Sequence, residues 1–430
     1  MQLYLNKTKL LFSTFIVLYS LTAFLIFWQI GFLPVTEDLL FSTPDSKTYR
    51  IYADFFTGNA SVPRASIVNL RPFVFPLYLS TYFYVGAQVF FIIQWLLNLS
   101  TIYITFKTIL LITKSRLCSL LGIVFIIINP TFSFISLHAL TETLSLTLIS
   151  LTIYNISLFF SFKHARSLFL SNFFLSLAVC AKPTYLPFFL LWVPFTGYYF
   201  LVSATRSFRT VIPFLFSLNP LIIQFALTSV LTGNVVLSTA GRSNFEGRFF
   251  PAVYGFSQGE DFLPYSSPEA MNAKKQYANL QDKVEFVLAH PYATIQTVVY
   301  LLRVNLRAAS SFTNYPKNLV KHKKLSLTLK KFSKAISRFM APLHLVGLLA
   351  IFVFLLAHDP DSYLIFFLAC LLYSVITFSV LTYWQGDRLI LAALPAWTVL
   401  YVLIASKILK LIRSITKRLI EQTITSMSLT

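Results

Sequence analysis

Apolar runs separated by short polar breaks dominate this chain, falling at about 10–33, 87–112, 117–137, 142–162, 166–181, 184–202, 210–231, 340–357, 363–382 and 389–411. Each is close to the ~20 residues a helix needs to cross a bilayer. The pattern predicts an all-α polytopic membrane protein with about ten spans, or eleven if Tyr292 to Tyr315 also crosses. The first run is too long for a signal h-region and no small-residue cleavage site follows it, so it reads as a span. Lys7 and Lys9 ahead of it place the N-terminus inside. Three regions follow: a core over 1–231 with its first outer loop at 34–86, an outer segment over 232–339 with interfacial helices, and C-terminal spans with a basic inner tail over 340–430.

Composition agrees with the pattern. Hydrophobic residues make up 56% of the chain and charged residues 12%, against about a quarter charged in soluble proteins. The formal charge of +20 sits in short loops between apolar runs, so it reads as orientation and contact with anionic membrane lipids, with no nucleic acid partner. Lys114 and Arg116 follow the second span, Lys163, His164 and Arg166 the fourth, and Arg206 and Arg209 the sixth, all assigned inside. Lys317 to Arg338 is strongly basic yet falls outside by counting, so Tyr292 to Arg338 is read as amphipathic helices on the outer surface. Cys118, Cys180 and Cys370 lie within apolar runs and suggest neither disulfides nor a thiolate metal site.

Acids are scarce enough to be informative. Only five precede residue 230, and four of them (Glu37, Asp38, Asp45, Asp54) share the first outer loop; the fifth is Glu142. After Pro44-Asp45-Ser46, the residues Tyr49, Tyr52, Ala53 and Phe56 recur at helical spacing, predicting a short helix over Lys47 to Phe56 with its aromatic face inward. Asp45 reads either as the N-cap of that helix or as a general base within reach of an acceptor hydroxyl or amine. Asp54 and the Glu37-Asp38 pair read as solvated. Arg71 either snorkels or binds an anion. Glu142 either complements a helix dipole or is functional, as an ionisable group at a span edge suggests. Lys182 and Arg388 fall in outer turns on the same side.

Taken in order, PDS-x-x-Y, RP-x-x-x-P-L-Y, H-x-x-TE, KPT and a late outer Arg resemble the polytopic GT-C glycosyltransferases, in particular bacterial members akin to protein O-mannosyltransferases, aminoarabinose transferases and RgtA-like lipopolysaccharide galacturonosyltransferases. The resemblance implies transfer of a sugar from a polyprenyl-phosphate carrier to a lipid, glycan or protein acceptor, outside a bacterial inner membrane. It implies Asp45 as the general base and Glu142 as a second catalytic acid. Arg71, Lys182 and Arg388 would meet the carrier phosphate, with Tyr49 and His138 also in the substrate site. Where many members carry two adjacent acids, Asp45 is followed by Ser46, which weakens the case for a divalent metal; no metal site is predicted.

Two rivals have distinct signatures. A flippase for polyprenyl-linked sugars would show internal repeats and broken helices with charges at the midplane, whereas here the charges gather at one surface. An O-antigen polymerase or ligase would rest on Arg242 and Arg248 in the late loop. No Walker-type loop and no GxGxxG after a strand is present, so a nucleotide-sugar site is not expected.

Overall fold

The computed structural model describes residues 2–58, 60–202, 208–260, 262–263, 267–307, 320–336, 338–339, 362–381 and 391–427. Among them there are helices and no strands. In chain order they are α1 (Gln2–Ile30), α2 (Glu37–Leu40), α3 (Pro44–Phe56), α4 (Ala65–Leu70), α5 (Val74–Ser80), α6 (Tyr82–Thr113), α7 (Arg116–Ile127) and α8 (Pro130–Phe134). Then follow α9 (Thr141–Phe162), α10 (Ala165–Ala181), α11 (Leu186–Val202), α12 (Phe208–Ser217), α13 (Asn219–Thr232) and α14 (Ala240–Asn244). The last are α15 (Phe250–Ser257), α16 (Pro268–Gln276), α17 (Leu280–Ala289), α18 (Pro291–Arg307), α19 (residues 323–336), α20 (Ser362–Val380) and α21 (Leu394–Met427). The chain is an all-α polytopic membrane protein.

Leu10–Ile30, Tyr82–Thr113, Thr141–Phe162 and Leu394–Thr416 are long and apolar enough to cross a membrane. The third expected span is a broken one: Arg116–Ile127 and Pro130–Leu137 meet at 69°. Pro130 explains the break, since a proline cannot continue the helical ladder and Asn129 caps the new start through its Oδ1. Carbonyls freed by such a break must be satisfied in an apolar setting. Asn98 Nδ2 donates to Phe132 O and Gln94 Nε2 to Ser136 O, each at 3.0 Å. The seventh expected span, 210–231, is also two helices, α12 and α13, parted at Leu218 just before Asn219-Pro220. The expected span 340–357 lies outside the described residues, as does the start of the last one.

α9 packs between α6 and α10 at the centre of the bundle. Hydroxyls stitch these apolar surfaces, as in membrane interiors where polar side chains join helices: Thr101 and Thr147 oxygens lie 3.0 Å apart between α6 and α9. Gly86 sits at φ +77° inside α6, where the left-handed backbone suits glycine, and turns the chain into the run that begins at 87. At the other end Lys114 Nζ lies 5.9 Å from the Phe162 ring centre. That contact puts the ends of α6 and α9 at one level, as the alternation of spans requires. α18 buries Ala293, Thr297, Leu301 and Asn305 at i, i+4 spacing and exposes the apolar Ile295 and Val299 beside Arg303.

Candidate functional site

α3 begins earlier than the aromatic spacing alone indicates, at Pro44, which suits a first helical position. Its cap is Thr43, not Asp45: Thr43 Oγ1 accepts from Ser46 N at 3.1 Å, and Ser46 Oγ accepts from Thr43 N at 3.2 Å. This reciprocal box satisfies the end donors. Asp45, in the first turn, is therefore released from capping. The inward aromatic face is as expected, with Tyr49, Tyr52 and Ala53 buried.

Arg71, at the end of α4, reaches back to α3. Its Nη2 donates to Asp45 Oδ1 at 2.6 Å and its Nη1 to Tyr49 Oη at 3.3 Å, while the guanidinium carbon stands 4.6 Å from the Tyr49 ring centre. A planar fork with several fixed donors allows this double engagement. Burial opposes the charge on Arg71, and the Tyr49 and Asp45 oxygens outweigh it, so the group is held more firmly protonated than usual. Buried Arg71 Nε and the buried hydroxyls of Tyr52 and Tyr78 have no hydrogen-bond partner among the described residues. Tyr78 belongs to this corner through Phe75, which stacks edge-on against Tyr49.

The second acid pairs separately. Glu142, fully buried in the first turn of α9, receives Lys182 Nζ at 2.8 Å from the end of α10. Thr141 Oγ1 lies 3.4 Å from its other oxygen. His138 holds the two acids' surroundings together: its Nδ1 lies 3.0 Å from Ser42 Oγ and 3.1 Å from Leu39 O. Ala139 N donates to Leu40 O at 2.9 Å. Tyr49, Ala139 and Leu144 share one apolar cluster, so it runs from the Asp45 helix to both flanks of Glu142. Tyr185 Oη donates to Ala392 O at 2.8 Å, bringing the start of the last helix to the same end of the bundle. Arg388 lies outside the described residues.

Glu37 is exposed as expected but also partnered. It pairs with Arg50 and accepts from Tyr82 Oη at 2.7 Å, tying α2 to α3 and α6. Asp54 is half-buried near the end of α3, where Thr57 Oγ1 donates to its backbone oxygen at 2.6 Å. Ser42, Thr43 and Tyr78 were not given roles by sequence, although Thr43 opens a T-x-x-S start with Ser46 and Tyr78 closes the RP-x-x-x-P-L-Y run. Among the described residues no three His, Cys, Asp or Glu side chains gather so as to hold a metal ion.

No family model matches the chain. No curated protein sequence matches it either. The fold is similar to the crystal structure of ArnT from Cupriavidus metallidurans bound to undecaprenyl phosphate, with 11% identity over 90% of this chain and 78% of that one and a TM-score of 0.39. A likeness this loose leaves the functional reading to the side chains.

Proposed function

We propose that the chain is an integral-membrane glycosyltransferase that moves a sugar from a polyprenyl-phosphate carrier to an acceptor on the outer face of a bacterial inner membrane. The observation that carries the reading is the Asp45–Arg71–Tyr49 arrangement on a capped helix at the membrane edge, linked through His138 and Ala139 to a buried Glu142–Lys182 pair. A carboxylate freed from capping and fixed by a guanidinium is positioned as a base. The acceptor oxygen or nitrogen attacks the anomeric carbon, its proton passes to Asp45, and the carbon–oxygen bond to the carrier phosphate breaks. Arg71 and Lys182 stabilise charge on the departing phosphate, and Arg71 Nε and Tyr78 Oη supply donors not used among the described residues. Direct displacement inverts the anomeric centre.

Replacing Asp45→Asn tests this in membranes supplied with labelled polyprenyl-phosphate sugar. Loss of a general base lowers turnover by roughly 10²- to 10⁴-fold. Full transfer by the variant removes Asp45 as base; loss that follows Arg242→Ala instead points to a polymerase or ligase chemistry.

A further inference from the structure

α19 carries most of the basic segment and has no role in the site above. Its position is specific: Lys321 N donates to Ile30 O at 2.7 Å, and Val320, Leu325 and Leu329 pack on the cluster formed by α1, α6 and α8. The helix runs antiparallel beside α1. Two cavities follow one another along the seam. One, of about 620 Å³, is lined by Gln29, His322, Leu325 and the cations Lys321, Lys323 and Lys324. The other, of about 250 Å³, is apolar, with Ile26, Ile128, Phe134, Leu329 and Phe332 among its walls. Ile26 and Gln29 are three residues apart on α1, and Leu325, Leu329 and Phe332 follow i, i+4, i+7 on α19, so both cavities lie on a single stripe of each helix.

No acid occurs between Glu285 and Asp359. Among the described residues none of Lys321, Lys323 and Lys324 meets a carboxylate. A cationic cup continuing into an apolar groove between membrane helices has the chemistry of an anionic amphiphile, headgroup first and chain along the bundle.

We propose that this seam binds one phosphate-bearing membrane lipid, its phosphate among Lys321, Lys323 and Lys324 and its chain against Leu329 and Phe332. Neither Asp45 nor Glu142 lines either cavity, and the proposal does not depend on the transferase reading.

Native mass spectrometry of the delipidated full-length protein tests it, titrating phosphatidylglycerol and phosphatidylcholine separately. Wild type retains the anionic lipid roughly tenfold or more over the zwitterionic one, each lysine near an anionic headgroup contributing about fivefold. The triple variant Lys321→Gln, Lys323→Gln, Lys324→Gln loses that preference, and the matching Lys→Arg variant keeps it. Phe332→Gln weakens both lipids. Soluble glycerol phosphate does not displace the bound lipid. Equal retention of both lipids by wild type, unchanged selectivity in the triple Gln variant, or displacement by glycerol phosphate would each overturn the proposal, the last by reducing the site to one for free phosphate. Unchanged melting and elution of the variants excludes misfolding, and if the triple Gln variant does not fold, the single variants Lys321→Gln, Lys323→Gln and Lys324→Gln carry the test, each losing part of the preference.

Discussion

Lys182 Nζ reaches Glu142 Oε1 at 2.8 Å although that carboxylate is wholly removed from solvent. The two groups come from the start of α9 and the end of α10, so the pair fixes the ends of adjacent helices at one level. Buried pairs add little net stability, because desolvation offsets most of the attraction, but removing one partner strands the other.

Single replacements at this pair are therefore expected to be worse than the double one. Lys182→Met alone leaves a buried carboxylate and costs about 3–5 kcal/mol, whereas Lys182→Met with Glu142→Leu recovers most of the loss. Thermal unfolding in detergent measures both. A double variant no more stable than the single one would remove the uncompensated-charge explanation. Transfer activity stays low in both if the pair also meets the substrate.

Arg71 separates geometry from charge. Lysine keeps the charge but cannot donate from a rigid fork to Asp45 and Tyr49 together. Arg71→Lys is expected to leave the melting midpoint nearly unchanged and to lower kcat by on the order of 100-fold through misplacement of Asp45. KM for the donor rises less than kcat falls. Steady-state kinetics with varied donor checks the split; wild-type kcat in the variant would reduce Arg71 to a surface ion pair.

Much of this was readable from the chain, for local reasons. Helix identity followed from apolar run length, and the expected start of the second span at 87 matches the left-handed Gly86. The breaks at Pro130 and Pro220 divide spans that apolar run length drew as continuous, because a proline near a helix start and one within a span look alike locally. The cap of α3 was misassigned because Thr43 and Asp45 are both favoured caps two positions apart; only the backbone decides between them. Which cation meets which acid was not legible. Arg71 and Asp45 are 26 residues apart and Lys182 and Glu142 are 40 apart, separations set by tertiary packing. The amphipathic character of residues 323–336 was evident, and its seat along α1 was not, for the same reason.

Gly122 on α7 faces α6 and α21. A methyl group there would collide with Ile109 Cδ1 and come within 3.3 Å of Thr398 Cγ2 and 3.4 Å of Val402 Cγ2. Ile109 can turn aside, but β-branched Thr398 and Val402 are stiff and sit on α21. Gly122→Ala is expected to destabilise by about 1–3 kcal/mol as α7 is pushed from α6 and α21. Gly247→Ala, with nothing within 4 Å, serves as the control and changes the melting midpoint little. Equal midpoints for the two variants would show that α7 has room to shift.

Glu37 gives the fold an acid-sensitive tie. The Tyr82 hydroxyl bond is the main cause that holds its carboxyl below the ordinary 4.5; modest burial opposes this, and Arg50 adds to it. A folded value below the unfolded one means the stabilisation is fully present above pH 4.5 and is lost as pH falls through the folded value. The side chain is 48% exposed, so solvent and salt reduce the effect. Glu37→Gln is therefore expected to melt slightly below wild type at pH about 7, and the gap is expected to close as pH falls below 4.5 through the folded value and the wild-type carboxyl takes up its proton. Added salt narrows the gap at neutral pH by screening Arg50 but leaves part of it, since the hydrogen bond from Tyr82 is short range. A gap that persists unchanged at low pH would assign the loss to packing of α2 rather than to the charge on Glu37.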